Sequence, residues 1–245
     1  MARRAIVLLS GNLGSATAMA VAGSEGFELK ALTFRLEARQ EPRLRAARQL
    51  AARFEVSEHA EVEVHERPLT AAKEARAGEV AQSDGGTVPA RGSVFLSFAV
   101  AWAEELEVDD LFLGVTADDR RLRPEASRAW IGAYERAANL ATDRRLAGHR
   151  LQIHAPLIFL TPAQVVRRGV ELGVDYSRTR NCQLPSADPC GRCAPCLTRL
   201  DAFAQNHLLD PAPARLARSG ITQAAEPLAV SCGDRDGDGS YLTPQ

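Results

Sequence analysis

Aromatic side chains are scarce in this sequence: Phe, Tyr and Trp together make up 5% of its 245 residues. Few rings means little surface on which unpaired bases can stack, which argues against a single-strand nucleic-acid-binding protein. An excess of positive charge is also missing. Thirty Lys and Arg face thirty-one Asp and Glu, so no overall basic field draws a polyanion. Long apolar runs are absent too. The run Ala5–Leu9 behind Arg3 and Arg4 has five residues and ends in a Gly/Asn turn, short of a secretory core. No stretch approaches the ~20 apolar residues of a membrane span. A cytoplasmic protein with neither a membrane nor a nucleic-acid partner is expected. Cysteine is nearly confined to one place: four of five lie in 182–196, with Cys232 alone. That clustering suits a metal site in a reducing compartment better than a disulfide framework.

Apolar residues reach 45%, enough for a full core in one large α/β domain or one domain with a small appendage. Strand-like runs occur at Ala5–Leu9, Leu29–Phe34, Ala60–His65, Leu111–Gly114 and Leu151–Ile153. Alanine-rich helical segments fall between them, near Ser15–Gly23, Glu41–Phe54, Ser93–Leu106, Ser127–Ala141 and Pro162–Leu172. Alternating strands and helices imply right-handed crossovers and a Rossmann-like parallel sheet covered on both faces. The expected organisation is an α/β domain over 1–175, a four-cysteine segment with a following helix over 176–210, and a weakly ordered tail over 211–245. The polar stretch 66–92 reads as a loop or lid over the carboxyl edge of the sheet.

Two segments carry chemistry. In "SGNLGS", Ser10, Gly11, Asn12, Leu13, Gly14 and Ser15 sit where the first strand hands over to a helix, a place where free helix amides hold phosphate. In "NCQLPSADPCGRCAPC", Cys182, Cys190, Cys193 and Cys196 have the spacing of thiolates that converge tetrahedrally on Zn²⁺. Four thiolates close such a site to water and make it structural. An iron–sulfur cluster and a redox pair are the alternatives.

The cysteine segment continues as "CLTRLDAFAQ" and is preceded by "IHAPLIFLTPAQVVRRGVELGVDYSRTRNC". With "VPARGSVFLSFAVAWAEEL" and the opening strand–turn–helix, residues 4 to 210 resemble the 7-cyano-7-deazaguanine synthase family of queuosine biosynthesis. The resemblance implies an adenine-nucleotide α-hydrolase-like fold with a pyrophosphate loop. It implies an ATP- and Mg²⁺-dependent carbon–nitrogen ligase that turns 7-carboxy-7-deazaguanine and ammonia into the nitrile. It also implies one zinc on the four cysteines, and a homodimer.

The sequence departs from that family at particular places. The family's loop reads Ser-Gly-Gly-x-Asp-Ser; here Asn12 replaces the second glycine and Gly14 the aspartate. A side chain at 12 crowds the nucleotide unless Asn12 turns left-handed, which asparagine tolerates. Of the family's Tyr-Gly-Gln-Arg-His only Arg39 remains, and Val-Pro-Ala-Arg-Asn becomes Val88 to Gly92 with Arg91 kept. In the segment expected to meet the deazaguanine, Asp119 keeps an acid, while the rest reads "RLRPEASRAW" from Arg121 through Arg123 to Trp130, with the family's Tyr, Asp and Cys absent at the aligned positions. Arg39, Arg91, Asp119, Arg121 and Arg123 are therefore the candidate pocket residues, beside the degenerate loop.

Erosion of nucleotide and substrate contacts together points to a paralogue with lost or changed activity, because positioned contacts carry much of the rate. The alternatives are a non-catalytic zinc-containing binding module and a ligase for another carboxylate; an RNA-modifying enzyme fits the charge less well. Restoring glycine at 12 and aspartate at 14 is expected to recover nucleotide binding without restoring synthesis. Arg120, Arg121, Arg123 and Arg128 read either as a solvated loop or as a rebuilt anion site. Arg144, Arg145 and Arg150 read as a solvated helix end. His154 reads as a hydrogen-bonded structural residue, and "DRDGDG" at Asp234–Gly239 as an acidic tail lacking the last ligand of a calcium loop.

Overall fold

A computed structural model describes residues 3–36, 41–64 and 91–212. The expected lid over 66–92, apart from Arg91 and Gly92, lies outside these residues, as do Arg39, the acidic tail and Cys232.

Five strands, β1 (Arg4–Leu8), β2 (Glu28–Arg35), β3 (Glu58–Glu63), β4 (Asp110–Phe112) and β5 (Gln152–His154), form one sheet in the order β3-β2-β1-β4-β5. Every pairing is parallel, with Val7 opposite both Ala31 and Phe112. The intervening helices are α1 (Leu13–Ser24), α2 (Glu41–Arg53), α3 (Arg91–Glu105), α4 (Ala117–Leu122), α5 (Arg128–Ala141), α6 (Pro162–Glu171) and α7 (Ala194–Ala204). The expected strands and helices are present, with ends displaced by up to a few residues.

Period-two alternation along β1 divides its side chains between two cores. Ala5, Val7 and Leu9 pack with Met19, Leu50, Val166 and Phe203 on one face. Ile6 packs with Leu96, Ala99, Leu111 and Ile153 on the other. Helix α1 is buried nearly all round, from Leu13 through Ala22, because it lies between the sheet and α6. Its run of Ala and Gly lets both neighbours approach, and a helix apolar on every side belongs inside.

The long segment after β5 is tied down by polar groups. Arg199 on α7, 4% exposed, makes a two-pronged pair with Asp210 at 2.7 and 2.8 Å and donates to the carbonyl oxygens of Tyr176 and Thr179. Each prong and carbonyl offsets part of the desolvation cost of the buried guanidinium.

His154 is hydrogen-bonded, as expected. Its Nε2 lies 2.7 Å from Asp110 Oδ1, and its ring stacks on Phe112 with centroids 4.5 Å apart. The expectation for Arg144 is corrected. Rather than pointing into solvent, it donates to Asp109 Oδ1 at 2.8 Å, beside His149, with its side chain only 18% exposed. Asp109 immediately precedes β4, so the pair fastens the segment after α5 to the edge of the sheet. Arg150 does remain 73% exposed, 4.0 Å from Glu135.

Candidate functional site

In the order β3-β2-β1-β4-β5 the chain reverses direction between β1 and β4. The loops leaving the carboxyl ends of those two strands lie side by side there, and ligands of open α/β sheets bind in that crevice. The loop Ser10–Asn12 and the turn Gly114–Thr116 are its two walls.

The β1–α1 loop differs from expectation in how it turns. Gly11, at φ +80°, takes the left-handed position. A Cβ there would come within 3.0 Å of the Arg43 carbonyl oxygen and the Ala47 nitrogen, so only glycine fits. Asn12 is not left-handed: it is extended, at φ −96° and ψ 176°, and is the N-cap of α1. Its Oδ1 accepts from the Ser15 N–H at 2.8 Å. A second amide oxygen, Asn181 Oδ1, accepts from the Leu13 N–H at 3.1 Å. Two of the first-turn donors that an anion would seek are thus satisfied within the chain. The hydroxyls are also occupied: Ser10 Oγ donates to Ser15 Oγ at 3.3 Å, and Ser15 Oγ donates to the Asn12 carbonyl at 3.2 Å.

Gly14 faces the opposite wall. A Cβ on Gly14 would lie closer than 3.0 Å to the Gly114 carbonyl oxygen, and one on Gly114 would strike the Gly14 and Ser15 backbone. Backbone rests on backbone across the crevice. The expectation that aspartate can simply be restored at 14 is corrected here, since the space its Cβ needs is filled by the main chain of the turn after β4.

The second candidate wall is likewise engaged. Asp119 Oδ2 accepts from the Thr116 N–H at 3.0 Å and its hydroxyl at 2.9 Å, closing a capping box on α4. Its other oxygen accepts from Arg123. Arg121 pairs with Asp118 at 2.9 Å and is 74% exposed, Arg120 lies over the Phe159 ring at 5.0 Å, and Arg128 is exposed at the start of α5. The four arginines expected as one cluster are therefore dispersed over different partners. Arg91, half-buried, is the first residue of α3.

The four cysteines do converge. Their sulfurs all lie within 4.8 Å of one another, with Cys190–Cys196 and Cys182–Cys193 each at 4.0 Å. Zinc–sulfur bonds of about 2.3 Å in a tetrahedron place sulfurs about 3.8 Å apart, so the cage has the right size for Zn²⁺. The thiols are free of disulfides. Burial works against ionising Cys190, but backbone N–H donors from Arg192 and Cys193 outweigh it and bring that thiol down to about 6. Burial pushes the Cys196 thiol up. Cys193 is the N-cap of α7 and Cys196 lies in its first turn, where the positive end of the helix favours thiolate.

The cage and the loop are mechanically joined. Arg180 and Asn181 immediately precede Cys182. The Arg180 N–H donates to the Gly11 carbonyl at 2.7 Å while Asn181 caps Leu13. The Arg180 guanidinium, in turn, donates to the carbonyl oxygens of Leu184, Ser186 and Ala187 within the cysteine segment. Neither Arg180 nor Asn181 is marked by a motif; an arginine and an asparagine before a cysteine carry no signal in one sequence. Arg43 is equally unmarked, since on a helix rich in arginine it looks like its solvated neighbours Arg45 and Arg48.

The family described as "Queuosine biosynthesis protein QueC" matches residues 4–207. A 7-cyano-7-deazaguanine synthase of Geobacter sp. (strain M21) is 41% identical over 219 residues, covering 86% of this chain and 97% of the relative. Another, of Paramagnetospirillum magneticum, is 44% identical over 220 residues, covering 85% and 97%. Among solved structures, NMN synthetase from Francisella tularensis aligns with 71% of this chain and 63% of its own, at 21% identity and a TM-score of 0.44. The extent of the family match and the identity over nearly the whole length of these relatives establish that the chain belongs to the 7-cyano-7-deazaguanine synthase family.

Proposed function

We propose that this chain is a zinc-stapled paralogue of the family that no longer activates the parental carboxylate with ATP, and whose site serves a changed role. The observation that carries this is the Asn12 side chain. Its carbonyl oxygen occupies the Ser15 amide at the helix N-terminus, where the family resemblance places a glycine and an ATP phosphate. Asn181 on the neighbouring amide, the backbone contact at Gly14 and the engagement of Asp119 support the same reading. A phosphate entering this loop has to displace a built-in acceptor and gains only the difference between the two hydrogen bonds.

The metal on Cys182, Cys190, Cys193 and Cys196 is zinc in this reading, and its role is structural: the four thiolates leave no open coordination position. Pairing into a homodimer is part of the proposal. Val94 at 39% and Phe98 at 43% exposure put apolar surface on α3 for such a contact. Light scattering at micromolar concentration is expected to give twice the chain mass.

The function is tested by following AMP and pyrophosphate release from ATP·Mg²⁺, with and without 7-carboxy-7-deazaguanine and ammonia. The expected outcome is no release above the protein-free control and no nitrile product. Steady multiple turnover by the unaltered protein refutes the proposal.

A further inference from the structure

The cysteine cage has two unlike flanks. Cys182 and Cys196 are 1% and 4% exposed, whereas Cys190 and Cys193 are only half-buried. The outer pair sits on a tight turn, where the Cys193 N–H donates to Cys190 Sγ at 3.3 Å. Arg192, inside that turn, is exposed. The inner pair faces a small cavity. Cys182, Gly191 and Cys196 line it from the cage side, and Arg199, Asp210 and Ala212 line it from the other.

The far wall is a strap of chain, Asp210–Ala212, that returns after α7. Arg199 stands one helical turn beyond Cys196 and anchors it. Each of the five N–H donors of Arg199 has an acceptor: both carboxylate oxygens of Asp210, the Tyr176 carbonyl, and the carbonyl and hydroxyl oxygens of Thr179. Asp210 Oδ1 also accepts from the Ala212 N–H at 2.9 Å, which folds the strap onto its own anchor. Thr179 shortly precedes Cys182 in the chain. One guanidinium therefore holds together the approach to the first cysteine, the helix of the last, and the strap. The two side chains of the pair are 5% and 8% exposed. Parting them leaves a charge stranded out of water, so the strap resists lifting.

We propose that the Arg199–Asp210 clasp makes the cage one-sided: metal ions and thiol reagents reach it through Cys190 and Cys193, and reach Cys182 and Cys196 only when the strap lifts. All four thiolates have to let go before a tetrahedral Zn²⁺ leaves. The outer two detach by local motion of a short turn, and local opening costs least where few buried contacts hold the chain. The inner two detach only when the strap, α7 and the segment from Thr179 part from one another. The clasp thus orders the release of the sulfurs and makes the inner pair the last. The inference shares the zinc assignment of the preceding reading and is independent of its claim about ATP.

The experiment is alkylation of the zinc-loaded full chain with iodoacetamide, well below its melting temperature. Peptide mass spectrometry locates the modified cysteines, and a colorimetric chelator follows zinc release. In the unaltered protein Cys190 and Cys193 are expected to react about tenfold faster than Cys182 and Cys196, or more. Asp210→Ala, which frees the strap, is expected to speed reaction at Cys182 and Cys196 about tenfold and to leave Cys190 and Cys193 within about twofold. Zinc release should quicken in the same variant. Ala212→Glu crowds the cavity without stranding Arg199, and should act in the same direction if Asp210→Ala folds poorly. Asn139→Ala is the control for general loss of stability. Asn139, on α5, is buried and donates to the Leu151 carbonyl at 2.8 Å, in the core on the other face of the sheet from α7. Its loss should not single out the inner pair. One rate for all four cysteines in the unaltered protein, an equal gain at all four in both strap variants, or the same pattern in Asn139→Ala overturns the inference. ATP turnover by the unaltered protein refutes the proposed function and leaves this inference standing.

Discussion

Removing the metal is expected to lower the melting temperature by about 10 °C or more and to unfasten the β1–α1 loop. Structural zinc contributes about 10–16 kcal/mol of apparent binding free energy in small zinc domains. If only about 4 kcal/mol of this reaches the whole fold, the shift is about 8–16 °C for a chain of this size. The cysteine segment has little apolar material of its own to replace it: Leu184 and Leu197 are 43% and 52% exposed. Cys193→Ser is the variant to use, because it removes one sulfur of the cage while leaving at the N-cap of α7 a residue that suits that position. The effect should extend beyond the cage. Asn181, next to Cys182, caps the Leu13 amide, and the Arg180 N–H holds Gly11. Amide hydrogen exchange at Leu13 should therefore accelerate in the metal-free protein more than exchange in the middle of β1. Elemental analysis should find one zinc per chain in the unaltered protein. An iron–sulfur absorption spectrum, or a metal-free protein with unchanged melting, contradicts the assignment.

Gly14→Asp is expected to destabilise the protein by about 3 kcal/mol or more, although aspartate is the residue the family resemblance implies there. Overpacking a well-filled interior costs about 1–3 kcal/mol when side chains can move aside. Here the obstacle is the carbonyl of Gly114, part of the turn after β4, and it moves only if α1 separates from the sheet. At about 2–4 °C per kcal/mol this is a loss of about 6–12 °C in melting temperature. Gly14→Ala isolates the Cβ from the charge and should show most of the effect. Asn12→Gly, by contrast, should cost only a few tenths of a kcal/mol, because glycine is itself a tolerable N-cap. It frees the Ser15 amide, so it is the better single change for reopening the loop. Thermal melts of the three variants check this; Gly14→Asp melting within 2 °C of the unaltered protein would show that the crevice yields more easily than backbone contact implies.

The order and spacing of the residues decide a good deal by themselves. Short continuous apolar runs such as Ala5–Leu9, separated by alanine-rich helical stretches, specify a parallel α/β sheet, because strands buried on both faces are apolar throughout and the crossover helices that cover them have their own spacing. Four cysteines within fifteen residues specify a shared cage, since so short a span keeps the thiols near one another whatever lies around it. The family resemblance also marks Asn12 and Gly14, in the loop after β1, as departures from the expected motif. What those two residues do is decided only in three dimensions. Asn12 was expected to need a left-handed backbone, but Gly11 takes that conformation and leaves Asn12 extended, with its side chain on the helix amide. The cap from Asn181 and the carbonyl of Gly114 over Gly14 each join segments far apart in the chain. Local sequence records propensity and spacing within one element. Contacts between the ends of different strands depend on sheet order and on how closely two backbones approach, and those quantities exist only once the whole sheet has formed.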